Sequence, residues 1–129
     1  MIAYTMVGTR NLEKALTFYK PLFEGMNLEL CWRDESCFSY GKTQDLSFPR
    51  FIVGYPFDGN VQSIGNGVMT AFQFERPETV DRLFEVALSS GGRSEGEPGY
   101  RPHYAKGFYA AYVRDPDGNK LAFIVYPKK

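Results

Sequence analysis

Few side chains in this sequence can carry chemistry, and one histidine has to serve wherever an imidazole is needed. His103 is the only histidine in 129 residues, so any triad or imidazole-held metal must use it. It stands in Arg101-Pro102-His103-Tyr104, just ahead of the closing apolar stretch. Two roles are open to it. As a catalytic residue it takes a proton or hydrogen-bonds a ligand near neutral pH; otherwise it is a loop side chain packed on Tyr104. Cys31 and Cys37 flank the polar segment Arg33-Asp34-Glu35-Ser36, form no C-x-x-C and have no second pair for a zinc cage. They read as free thiols, although strand partners can in principle be bridged. Nothing in the sequence orients either one toward His103 as a nucleophile. Glu13, Asp81 and Glu85 lie off the apolar stripes of their segments and read as solvated helix faces. Glu95 and Glu97 bracket Gly96 on a short strand, either solvated at an edge or turned toward a cleft. Gly65-Asn66-Gly67 makes no phosphate loop, because neither G-x-G-x-x-G spacing nor a following Lys-Ser/Thr is present.

The elements that must position these groups follow from periodicity. Phe108–Tyr126 reads as two apolar strands joined by Asp115-Pro116-Asp117-Gly118. Proline presets φ at the first corner, aspartate bonds its own backbone and glycine accepts positive φ. Phe108, Ala110 and Tyr112 fall on one face, and Tyr109, Ala111 and Val113 on the other. With both faces mostly apolar, this hairpin belongs inside a covered sheet.

Upstream, Met1–Gly8 reads as a buried strand and Asn11 as a helix N-cap. Leu12, Ala15, Leu16, Tyr19, Leu22 and Phe23 form the apolar stripe of that helix. Pro21 is expected to end or kink it in its last turn, and Gly25 to stop it. Leu28–Trp32 and Cys37–Tyr40 make a hairpin, and Phe51–Tyr55 a short strand.

After a Gly/Asn-rich connector the order begins again. Val68–Phe74 is a strand, and Pro77 opens a helix with Val80, Leu83, Phe84, Ala87 and Leu88 as its stripe. Gly91-Gly92 ends that helix. A short strand over Arg93–Glu97 and a turn-rich loop through Pro98-Gly99 lead to the final hairpin. At an offset of 66, Phe18 meets Phe84, Leu22 meets Leu88 and Gly25 meets Gly91, which points to an internal duplication. The expected fold is α+β: one domain of two βαβββ modules, residues 1–58 and 67–129, with a connector over 59–66. Each helix covers a curled sheet and leaves a cleft at its concave face, the natural place for a small ligand.

Composition limits the partners. Lys+Arg and Asp+Glu both number 15 and neither sign runs in a block, which argues against nucleic acid. No stretch approaches 18 apolar residues, and the start lacks the pattern of a secretion signal, so no membrane contact and a cytoplasmic location are expected. The 11 Phe and 9 Tyr suit the core of a small β-rich domain, with tyrosines to spare for a pocket or interface.

Asn11-Leu12-Glu13-Lys14-Ala15 with Phe18-Tyr19, Phe57-Asp58-Gly59, Gly65-Asn66-Gly67, Val80 through Gly92 and Asp115-Pro116-Asp117-Gly118-Asn119 occur in that order over almost the whole chain. Together they resemble the vicinal oxygen chelate superfamily, which includes glyoxalase I, the bleomycin and fosfomycin resistance proteins and the extradiol dioxygenases. The pattern is most similar to the glyoxalase-like bacterial branch rather than to any named enzyme. The resemblance implies paired βαβββ modules, usually a homodimer and, in metal-using members, a divalent ion held by His and Glu on the concave sheet.

Aligned on that pattern, the ligand positions fall at Tyr4, Met69, Ala122 and near Phe51. Alanine offers no lone pair, a thioether is too soft for Mg²⁺, Mn²⁺ or Zn²⁺, and a phenol keeps its proton at neutral pH. The expectation is therefore no metal and no cofactor. The cleft lined by Tyr4, Phe51, Met69 and Ala122 then suits a small apolar or aromatic molecule, oriented by His103, Tyr104 and Tyr109, as in the metal-free drug-sequestering resistance proteins. A second reading is a glyoxalase-like lyase or isomerase, or a dioxygenase-type enzyme with a non-standard site. A third is a structural homodimer whose cleft is filled.

Overall fold

A computed structural model describes residues 1–128 of the chain. The order strand, helix, three strands occurs twice, in compact units that divide between Ile64 and Gly65. The first unit contains β1 (Tyr4–Gly8), α1 (Leu12–Glu24), β2 (Glu29–Arg33), β3 (Cys37–Gly41) and β4 (Arg50–Gly54). The second contains β5 (Met69–Gln73), α2 (Pro77–Ser89), β6 (Arg93–Tyr100), β7 (Tyr109–Arg114) and β8 (Lys120–Val125). Each unit has one four-stranded sheet, ordered β1-β4-β3-β2 and β5-β8-β7-β6. In each, the first strand pairs parallel with the last and the remaining pairs are antiparallel. This is the duplicated βαβββ arrangement expected from the sequence.

The repeat offset is 65, not 66: β1 starts at Tyr4 and β5 at Met69, α1 at Leu12 and α2 at Pro77. The slip arises at the helix ends. Asn11 caps α1, its side-chain carbonyl accepting the Lys14 N–H at 3.0 Å. Pro21 neither ends nor shortens the helix, which runs on to Glu24. Gly25 stays helical at φ −64, and the left-handed residue is Asn27 at φ 59. There the Leu28 N–H returns to the Phe23 carbonyl at 2.9 Å and the Asn27 N–H to Glu24 at 3.0 Å, a Schellman closure with asparagine in place of glycine. In α2 that role falls to Gly91, at φ 112, with the Gly92 N–H on the Ala87 carbonyl at 2.9 Å.

The helices bury Ala15, Phe18, Tyr19, Leu22 and Phe23 in the first unit and Val80, Leu83, Phe84 and Ala87 in the second. Phe18 therefore replaces Leu12 and Leu16 on the expected stripe, and those two are half-buried. The cores differ in chemistry. Tyr19 stacks on Phe23 at 5.3 Å and meets Phe51 at 5.4 Å, while Phe23 meets Tyr40 at 4.9 Å. The second core is largely aliphatic: Val80, Leu83, Val113 and Leu121 are fully buried, with Phe84 and Phe123 as its buried rings.

β6 departs from expectation by running on through Pro98 and Gly99 to Tyr100, with register shifts after Ser94 and after Gly96. Bulges absorb the residues that cannot pair, so the segment stays extended where a loop is expected. A bulge also separates the cysteines. Cys31 lies at the β2 irregularity between Leu30 and Trp32, Cys37 pairs with Gly54 on β4, and both thiols are free.

A candidate ligand cleft on the second sheet

Side chains alternate along β7 and β8, so the sheet has two chemically different faces. One packs on α2: Ala111, Val113, Leu121 and Phe123 are fully buried there. Tyr109 points the same way, and its hydroxyl donates to Asp81 Oδ1 on α2 at 2.6 Å. That bond, followed by partial burial, pushes the Tyr109 phenol up to about 12. A phenol raised in the folded state stabilises it fully below the unfolded value near 10, and the benefit is lost as pH rises toward 12. Tyr109→Phe is expected to flatten the pH dependence of urea stability across that interval relative to the parent; identical curves would mean that the bond is absent in solution.

The opposite face carries Met69, Lys120, Ala122, Ile124, Ala110 and Tyr112, set side by side by the register Met69↔Lys120, Tyr112↔Ala122 and Ala110↔Ile124. Ala110, Ala122 and Ile124 form a buried apolar floor against which Phe108 and Tyr112 pack. Above it opens a cavity of about 780 Å³ lined by Met69, Glu95, Arg101, Tyr104, Phe108, Tyr112 and Lys120, with Gly96 at its wall. The Tyr104 and Phe108 rings meet edge to face at 5.8 Å. The Arg101 guanidinium and the Lys120 ammonium lie 5.6 and 5.5 Å from the centre of the Tyr112 ring. Burial pushes the Tyr112 phenol up, so at neutral pH it is a hydrogen-bond donor. At the edge, Glu95 accepts from Arg114 Nε at 2.7 Å, which holds its carboxyl below the usual range.

Two glycines make room for this arrangement. A Cβ on Gly96 would stand 2.9 Å from a Tyr112 ring carbon, and one on Gly99 would stand 3.0 Å from Arg101 Nη1. Arg101 is tied down by Nη2, which donates to the Glu97 carbonyl at 2.7 Å. The first unit has its own recess of about 380 Å³ beside the start of α1. Arg33 pairs with Glu13 there at 3.2 Å, and the Tyr55 hydroxyl accepts the Leu12 N–H at 3.3 Å.

A family model of the Glyoxalase/Bleomycin resistance protein/Dioxygenase superfamily matches residues 1–123. The chain belongs to this superfamily. A glyoxalase/bleomycin resistance protein from Albidiferax ferrireducens T118 is 30% identical, with a TM-score of 0.86 over 98% of this chain and 99% of that one. At 20% identity, a glyoxalase-related enzyme from Fulvimarina pelagi superposes with a TM-score of 0.76 over 98% and 88% of the two chains. A lactoylglutathione lyase from Agrobacterium tumefaciens, 18% identical, gives 0.68 over 97% and 92%. The last two share the fold. No curated protein matches the chain.

The positions that hold the ion in metal-using members align with Tyr4, Met69, Ala122 and near Phe51 in this chain. Tyr4 and Met69 occupy equivalent places, at the start of β1 and β5 and well exposed. The partner of Ala122 in the repeat is Ile52, not Phe51, because Met6↔Ile52 corresponds to Ala71↔Ala122. Phe51 is turned into the aromatic core against Tyr19 and Phe23 and lines neither of the two recesses described. Tyrosine, methionine, isoleucine and alanine do not fit a divalent ion, and no three His, Cys, Asp or Glu cluster among the described residues.

Of the other expected site residues, Met69 and Tyr104 line the cavity, Ala122 is fully buried beneath Phe108 and Tyr112 and is not in its lining, and Tyr109 is on the far face of the sheet. His103 packs on Tyr104 with ring centres 4.1 Å apart and is not part of the cavity lining. Sequence reasoning missed Arg101, Lys120, Phe108 and Tyr112. The signal for three of them was present: Phe108 and Tyr112 share a face with Ala110, and Lys120 precedes Ala122 by two. Arg101 comes into play only because β6 runs on to Tyr100.

Proposed function

We propose that the protein is a metal-independent small-molecule binder of the bleomycin-resistance kind, holding an aromatic ligand in the cleft of the second sheet. The observation that supports this most is the cavity itself. It sets three aromatic walls and a thioether, over a buried apolar cluster, beside the charged groups of Glu95, Arg101 and Lys120, a combination that suits a small ligand. The reading includes a homodimer, as the resemblance to the superfamily implies, and the cytoplasmic location expected from the sequence. Tyr104 is the wall residue whose removal disturbs the fold least, because it is mostly exposed.

With 2-naphthol as probe and EDTA present, saturable binding is expected by fluorescence titration. Tyr104→Ala should weaken it about tenfold, the upper range for one aromatic contact. His103→Ala should change it less than about threefold, because His103 touches Tyr104 and not the cavity. Binding that vanishes in EDTA and returns with Ni²⁺ or Zn²⁺ would overturn metal independence. Binding indifferent to Tyr104→Ala would move the site elsewhere.

A further inference from the structure

The cleft has a charge pattern that an apolar ligand leaves unused. Among the described residues, neither Arg101 nor Lys120 pairs with a carboxylate, whereas Glu95 is engaged by Arg114. Both cations therefore sit over the Tyr112 ring outside ion-pair distance of a carboxylate, although Lys120 acts on Glu95 through its field. A cation over an aromatic face gains less than a carboxylate sharing the same partially dry site supplies. Their placement is also built rather than incidental. Gly96 lacks the side chain that would collide with the Tyr112 ring, and the Glu97 carbonyl accepts from one guanidinium nitrogen of Arg101. The charges that bear on the cavity are Arg101, Lys120, the Glu95–Arg114 pair and Arg93, with Lys120 and then Arg93 acting on Glu95 through their fields. Cations outnumber the carboxylate.

We infer, resting on the binding reading above, that the ligand is an aromatic carboxylate, its ring against Tyr104 and Phe108 and its acid group at Arg101 and Lys120. A cavity of about 780 Å³ accepts a molecule of two fused rings with room for bridging water. Tyr112, a donor at neutral pH, adds a hydrogen bond to the anion, and the planar guanidinium offers a fork that matches a carboxylate.

The test compares 2-naphthoate with its neutral isostere 2-naphthamide on the whole protein by calorimetric titration. The parent should bind the carboxylate about tenfold more tightly than the amide, as a charge-assisted contact predicts. Arg101→Gln and Lys120→Gln should each remove most of that preference, read as the ratio of the two affinities within the same variant, with far-ultraviolet dichroism reporting that the fold is intact. Equal affinity for both probes in the parent overturns the anion assignment and leaves the aromatic cleft standing. A preference that survives the double variant also overturns it, by placing the acid group elsewhere. Binding of neither probe overturns both this inference and the cleft reading.

Discussion

Phe51→Ala should destabilise the protein by about 3–5 kcal/mol, the cost of removing a buried phenylalanine and leaving a cavity behind. Phe51 is 4% exposed, and its ring lies 5.4 Å from Tyr19 and 5.3 Å from Phe23. The cluster continues from Phe23 to Tyr40 and from Tyr19 to Phe38, so the deletion exposes several rings to an empty space they cannot readily close. Ile52, one residue on and half-buried on the opposite face, is the internal control: Ile52→Ala should cost roughly 1 kcal/mol, well below the range for a fully buried site. Urea unfolding of the two variants decides between the faces. If Phe51→Ala were the milder of the two, Phe51 would be the cleft residue, and the register of β4 would be wrong by one.

Asp115→Ala should cost on the order of 2–4 kcal/mol and lower Tm by roughly 10 °C, although it removes only a few atoms from a turn. Asp115 is 1% exposed. Its Oδ1 accepts the N–H groups of Asp117 and Asn119, both at 2.9 Å, and its Oδ2 accepts the Asn119 amide at 2.9 Å. Its own backbone closes the β7–β8 connection, with the Asp115 N–H on the Asn119 carbonyl at 2.9 Å and the Gly118 N–H on the Asp115 carbonyl at 2.9 Å. Alanine would leave these donors facing protein instead of an acceptor, the expensive way to lose a hydrogen bond. Asp115→Asn, which keeps one carbonyl oxygen, should recover part of the loss. A thermal melt of Asp115→Ala coincident with the parent would show that water replaces the carboxylate at no cost.

These two residues also mark where the sequence was legible. Asp115 was, because Asp-Pro-Asp-Gly between apolar runs has a local mechanism that tertiary structure has no reason to override. The helices were legible for the same reason: their 3.6-residue stripes needed only a small rotation to bring Phe18 inward. Phe51 was not. Assigning it to a face requires the register of β4 against β1, and a shift of one residue exchanges core for cleft. The stop of α1 was obscured because Gly25 is the obvious punctuation, whereas the chain uses the asparagine two residues later. The cleft was half legible. Its apolar floor follows from alternation, but Arg101 reaches Tyr112 through bulges in β6 that no pattern of residue types announces.

The position of Trp32 has a practical consequence. The only tryptophan lies at the outer strand of the first sheet, 60% exposed, with its indole N–H held by Asp34 Oδ2 at 2.8 Å. Its emission is thus a local beacon for the β2–β3 hairpin, while the residues around Tyr112 emit nothing of their own in that band. Tryptophan fluorescence and far-ultraviolet dichroism followed through the same denaturation will coincide only if both halves of the duplication melt as one cooperative body. A gap between the curves would time the two halves separately, without a label having to be introduced.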